Sequence, residues 1–79
     1  MKMLPRINGH IKASEVRVIS ENGTDLGILS IHEALKLVAS RREDLVEIDP
    51  KAVPPVCQSI DYELYRYRWL KAEKERRGL

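Results

Sequence analysis

Seventy-nine residues with 14 basic and 12 acidic side chains make one small domain of net charge +2, mildly basic at a pI near 8.9. Such a chain has little room for a deep catalytic cleft, since a domain of about 60 residues buries only about 60% of its unfolded-chain surface. The single cysteine, Cys57, excludes an internal disulfide, and no apolar run approaches a membrane span, so a cytoplasmic protein without cofactor, metal centre or catalytic group is expected.

The chain opens with an arm, residues 1–8, in which Pro5 opposes helix and no periodicity is present. From Glu15, EVRVIS is rich in β-branched residues and partly alternates, which predicts a strand. Asn22-Gly23 then supplies the positive φ angles of a hairpin turn. DLGILS returns as the second strand, with Gly27 marking a bulge or a close backbone approach. The two glycines match no phosphate-binding motif. Ser30 and Glu33 form a capping box, and Ile31, Ala34, Leu35 and Val38 follow at i, i+3, i+4 and i+7. That spacing predicts a helix of about three turns packed on the sheet. Arg41 and Arg42 fall near its end, where cations suit the helix dipole, and an RNA contact is the other reading of the pair.

LVEI, residues 45–48, reads as a third strand and Asp49-Pro50 as the turn after it. Pro54 and Pro55 are expected to hold residues 53–56 extended, and residues 56–60 form a short last strand, placed at an edge. Cys57 stands in this apolar stretch as a buried structural thiol. Glu43, Asp44, Glu47 and Asp49 read as surface charge, and His10 and His32 join no catalytic motif. Residues 9–60 therefore predict an α+β domain, a ββαββ sheet with one packed helix in the split arrangement of a β-grasp and a right-handed crossover.

Residues 1–60 carry eight basic and eight acidic side chains, so all of the net charge resides in residues 61–79. The same stretch holds every aromatic residue: Tyr62, Tyr65, Tyr67 and Trp69. Asp61 is placed to cap a helix. At about 100° per residue Tyr62, Tyr65 and Trp69 share one face, with Leu64 and Tyr67 nearly opposite. Beyond Leu70 the sequence has no apolar stripe, and Glu73 with Arg77 makes an i,i+4 pair, so this part is expected to project into water. A charge run alone is ordinarily a solvated helix or linker. Interleaved aromatics and arginines also suit RNA, because cations pair with phosphate and aromatic rings stack on bases. The candidate RNA-binding residues are Arg66, Arg68, Lys71, Lys74, Arg76 and Arg77, with Tyr65 or Tyr67 for stacking and Arg6, Lys12 and Arg17 as a second contact. The competing expectation is a protein-interaction module that docks a partner on the sheet or on the Tyr62/Tyr65/Trp69 face.

From Arg6 to the start of the basic helix the sequence resembles the N-terminal domain of bacterial translation initiation factor three. The marks are Arg6-Ile7-Asn8 with Ile11, Glu15-Val16-Arg17, Asn22-Gly23, Gly27 and Glu33-Ala34-Leu35. Asp44-Leu45-Val46-Glu47, Pro54-Pro55-Val56-Cys57 and Asp61-Tyr62, followed by Tyr65 and Tyr67, complete the ordered set. The resemblance implies a β-grasp-like domain joined by a helical linker to a second domain, which this sequence does not include. It also implies binding to the rRNA of the small ribosomal subunit, near the initiator tRNA, in start-site selection; a monomer is expected. Two departures stand out: Gln58 where the family usually has arginine, and Glu63-Leu64 where it usually has Gly-Lys.

Overall fold

The computed structural model describes residues 4–77, and side chains through residue 75. Four strands, β1 (Glu15–Ile19), β2 (Asp25–Ser30), β3 (Asp44–Asp49) and β4 (Val56–Ile60), form one mixed sheet in the order β2-β1-β4-β3. The central pair β1/β4 is parallel, and β2 and β3 flank it antiparallel. Helix α1 (Ile31–Ser40) makes the crossover, and helix α2 (Tyr62–Arg77) follows β4. This is the split α+β arrangement that the residue pattern predicts.

The hairpin loop is longer than Asn22-Gly23 alone suggests. The Gly23 N–H donates to the Ser20 carbonyl at 3.0 Å and only Gly23 of the pair takes a positive φ, 91°. Gly27, at φ 99°, sits at a β-bulge: Val18 pairs with Gly27 and Ile19 with Asp25, which leaves Leu26 as the extra residue. The Gly27 N–H freed from the ladder donates to Asp25 Oδ1 at 2.8 Å. Space around Gly27 is open, so backbone conformation and not a close approach requires glycine there.

α1 begins as its sequence dictates. Ser30 Oγ accepts from the Glu33 N–H at 3.1 Å, and Glu33 Oε1 accepts in return from the Ser30 N–H at 3.3 Å. Its apolar stripe buries Ala34 and Val38 against Val16, Val18, Leu45 and Cys57, with Ile11 closing the cluster. This is the main core.

Two expectations need correction. β4 is central and not an edge strand. Its polar side chains find internal acceptors there: Gln58 Nε2 donates to the Ser20 and Glu21 carbonyls at 3.3 and 3.1 Å, and Ser59 Oγ to Glu43 Oε1 at 2.7 Å. Residues 53–56 are also not uniformly extended. The chain turns and bends over residues 50–54, the Val53–Pro54 peptide is cis, and regular strand begins at Val56.

The other face of the sheet holds a second, smaller buried set. Val46 and Ile60 alternate with Leu45 and Ser59 along their strands, so they point away from α1, yet both are fully buried. The root of α2 runs back over this side along β3. The arm meets β3 from outside, where Ile7 bridges Val46 and the Glu47 N–H donates to the Arg6 carbonyl at 3.0 Å.

Candidate nucleic-acid interface

α2 starts where its sequence places a cap. Asp61 Oδ1 accepts from the N–H groups of Glu63 at 2.8 Å and Leu64 at 3.2 Å, which satisfies donors that no helical carbonyl can reach. The preceding amide, on Tyr62, donates to Asp44 Oδ2 at 2.9 Å. Asp44 is thus a structural ligand of the helix start. Its neighbours depart from surface charge as well: Glu47 is only 5% exposed, and Glu43 accepts from both Ser59 and Arg41. The local sequence pattern hides this, because the partners of Asp44 and Glu47, and Ser59 beside Glu43, lie far along the chain.

The two sides of α2 differ in chemistry. Toward the domain, Tyr62, Tyr65 and Trp69 are half-buried, and Tyr65 and Trp69 face Pro5, Arg6, Ile48 and Pro50 across a cleft of about 510 Å³. Leu64, placed by simple rotation on the far side, is half-buried too. Burial, followed by the neighbouring Tyr62, pushes the Tyr65 phenol above its ordinary value, so it stays neutral and protonated. On the outward side Tyr67 is 62% and Leu70 49% exposed, and with Lys71, Lys74 and Glu75 they line a shallow groove. Arg66 is exposed as well. Among the described residues no carboxylate forms an ion pair with Arg66, Lys71 or Lys74.

The remaining candidates are placed elsewhere. Arg68 reaches Glu21 in the hairpin loop at 3.4 Å, Arg17 pairs with Asp25 at 2.7 Å, and Arg6 stands 3.7 Å from Glu47. Lys12 is exposed in the loop before β1. The side chains of Arg76 and Arg77, and with them the Glu73–Arg77 pair, lie outside the described residues. The structure therefore gathers Arg66, Tyr67, Lys71 and Lys74 on one helix and disperses Arg6, Lys12 and Arg17 over the domain. It also separates Tyr65 from Tyr67, which composition alone makes equivalent.

Cys57 is fully buried, and burial, with the charge of Glu47 second, pushes its thiol up to about 12 from 9.0. At neutral pH it is a packed, protonated group and no nucleophile. No helix among the described residues is long and apolar enough to cross a membrane.

Comparison with known proteins places this geometry in context. The family described as "Translation initiation factor IF-3, N-terminal domain" matches residues 7–76. A curated relative from Neisseria gonorrhoeae, named translation initiation factor IF-3, is 51% identical over 70 residues, which is 89% of this chain and 40% of that protein. Its namesake from Aquifex aeolicus is 49% identical over 72 residues, 91% of this chain and 41% of the relative. The chain thus spans about 40% of the length of the curated relatives it matches.

Proposed function

Because the chain belongs to the family of translation initiation factor IF-3 N-terminal domains, we propose that it binds the small ribosomal subunit through rRNA phosphates, near the initiator tRNA, and assists start-site selection. The observation that carries this reading is the outward stripe of α2, where Arg66, Lys71 and Lys74 are exposed and without an ion pair to any described residue, beside the open ring of Tyr67. Cations on one helix face suit the regular spacing of backbone phosphates, and an exposed tyrosine offers a stacking surface for an unpaired base. Binding is non-enzymatic and electrostatic, by a monomer in the cytoplasm, and α2 serves as the linker toward a second domain.

Paired arginines contribute less on this account. Each of Arg6, Arg17 and Arg68 already shares a carboxylate, so turning to phosphate exchanges one ion pair for another. The alternative, a partner protein docked on the Tyr62/Tyr65/Trp69 face, finds that face turned toward β3 and the arm.

Co-sedimentation with purified small subunits tests the proposal, with large subunits and an unrelated structured RNA as controls. Selective binding is expected, weakening with salt by a log–log slope of about −0.7 to −0.9 per phosphate neutralised. A folded chain that fails to bind at low salt, or binds all three RNAs alike, overturns it.

A further inference from the structure

We propose that Asp44 couples the N-terminal arm to α2, so that docking of the arm on β3 fixes the direction in which α2 leaves the domain. Three elements meet at this carboxylate. Asp44 Oδ1 accepts from Asn8 Nδ2 at 3.0 Å, and Asp44 Oδ2 accepts from the Tyr62 N–H at 2.9 Å. Asn8 in turn accepts the Leu45 N–H on its Oδ1 at 2.8 Å. Its backbone lies in the left-handed region at φ 50°, which asparagine tolerates better than most residues and which turns the side chain toward the start of β3. The junction is specific in chemistry. Two donors converge on Asp44 from two segments, and only a carboxylate presents two acceptor oxygens at once.

Neither partner is anchored by a fully buried side chain among the described residues. The arm is stitched to β3 by the Ile7/Val46 bridge, the Glu47 N–H to the Arg6 carbonyl, and the 3.7 Å Arg6–Glu47 pair. In α2 no residue with a described side chain is fully buried. Its link to the hairpin loop, Arg68 to Glu21, joins two half-exposed side chains, a kind of pair that contributes little. The direction of α2 is therefore set at its root by Asp61 within the helix and by Asp44 from the sheet, and further along by the half-buried Tyr65 and Trp69, which face the arm and the end of β3. With a rise of about 1.5 Å per residue, a tilt of about 20° at Tyr62 displaces Lys74 by about 6 Å, comparable with the spacing between neighbouring phosphates. The consequence for RNA rests on the function proposed above: Asn8 and Asp44 are positioning residues that aim the Arg66/Lys71/Lys74 stripe without touching RNA.

Two substitutions and their combination test the coupling in the free chain, read by residue-resolved amide hydrogen exchange. Asn8→Ala touches α2 nowhere, yet it is expected to speed exchange at Tyr62 by about fivefold, the factor set by one net hydrogen bond. Asp44→Asn keeps the shape but leaves one acceptor for two donors, and is expected to loosen both Tyr62 and the arm-bound Glu47 amide. The double variant Asn8→Asp/Asp44→Asn exchanges the two groups. The carboxylate, now on the arm, accepts both the Leu45 N–H and the side-chain amide at the start of β3, and the oxygen of that amide accepts the Tyr62 N–H. This variant is expected to restore protection at both amides, which a merely weakened fold could not do. Amides in the centre of β1 report global stability throughout. Unchanged Tyr62 exchange in Asn8→Ala while Glu47 exchange rises, or no rescue in the double variant, overturns the coupling. Small-subunit affinity is measured beside it and is expected to fall in Asn8→Ala and recover in the double variant. If the unmodified chain does not bind subunits, the function reading fails, and exchange alone still decides the coupling.

Discussion

α1 and α2 lie on opposite faces of one sheet and are held there by different means. α1 buries a stripe of side chains at helical spacing, with Ala34 and Val38 sealed against β1, β3 and β4. α2 is held at its root by Asp61 and Asp44 and by three half-buried aromatic rings, and it leaves Arg66, Tyr67, Leu70, Lys71 and Lys74 in solvent. The first arrangement draws on burial, which is strong and non-directional. The second combines partial burial of three rings with hydrogen bonds at one end, and the hydrogen bonds are the directional part. A helix held this way can present a binding surface without being part of what keeps the domain folded.

The comparison can be broken by substitution. Leu45→Ala, in the core under α1, is expected to lower the unfolding free energy by about 2–5 kcal/mol, measured by urea denaturation. Tyr65→Ala on the docked face of α2 is expected to cost distinctly less, and equal losses would mean that α2 belongs to the core. Asp61→Ala is expected to cost about 1 kcal/mol and to speed amide exchange at Glu63 and Leu64 while β1 stays protected. The smallest effect belongs to Glu21→Gln, which removes the exposed partner of Arg68. Its cost is expected to stay below about 1 kcal/mol and to vanish at high salt, and a larger cost in a thermal or urea melt would make that pair a real tether of the helix.

Much of α1's side of the molecule is legible in the residue pattern. The capping box, the i, i+3, i+4, i+7 stripe and the bulge-forming Gly27 are local signals, each confined to a few residues, and each appears in the structure as read. The cap at Asp61 is of the same kind. What the pattern hides is long-range and polar. Asp44, Glu43 and Glu47 read as surface charge because their partners, Asn8 and Tyr62 for Asp44, Ser59 for Glu43 and Arg6 for Glu47, are separated from them in sequence. The central place of β4 is hidden in the same way, since the Ser20 and Glu21 carbonyls that receive Gln58 and the Glu43 carboxylate that receives Ser59 lie far from them in sequence. Within α2 the helical period separates Tyr65 from Tyr67, but no period indicates that Arg6, Arg17 and Arg68 each find a carboxylate. One signal was available for the junction: an Asn in an arm without periodicity, which is a residue type suited to a left-handed turn and to pairing with backbone amides.

The most direct test of the account compares two variants for small-subunit binding over a salt series. In the first, Arg66→Glu/Lys71→Glu/Lys74→Glu, the outward stripe of α2 is reversed; in the second, Arg17→Ala, the paired arginine of β1 is removed and the arm is left intact. The account predicts that the first variant, with unchanged β1 amide protection, loses binding and much of the salt slope, by about 0.7 to 0.9 for each phosphate no longer neutralised. The second variant is predicted to bind nearly as the parent does. The opposite result, binding kept by the reversed stripe and abolished without Arg17, would contradict the assignment of α2 as the RNA-facing element.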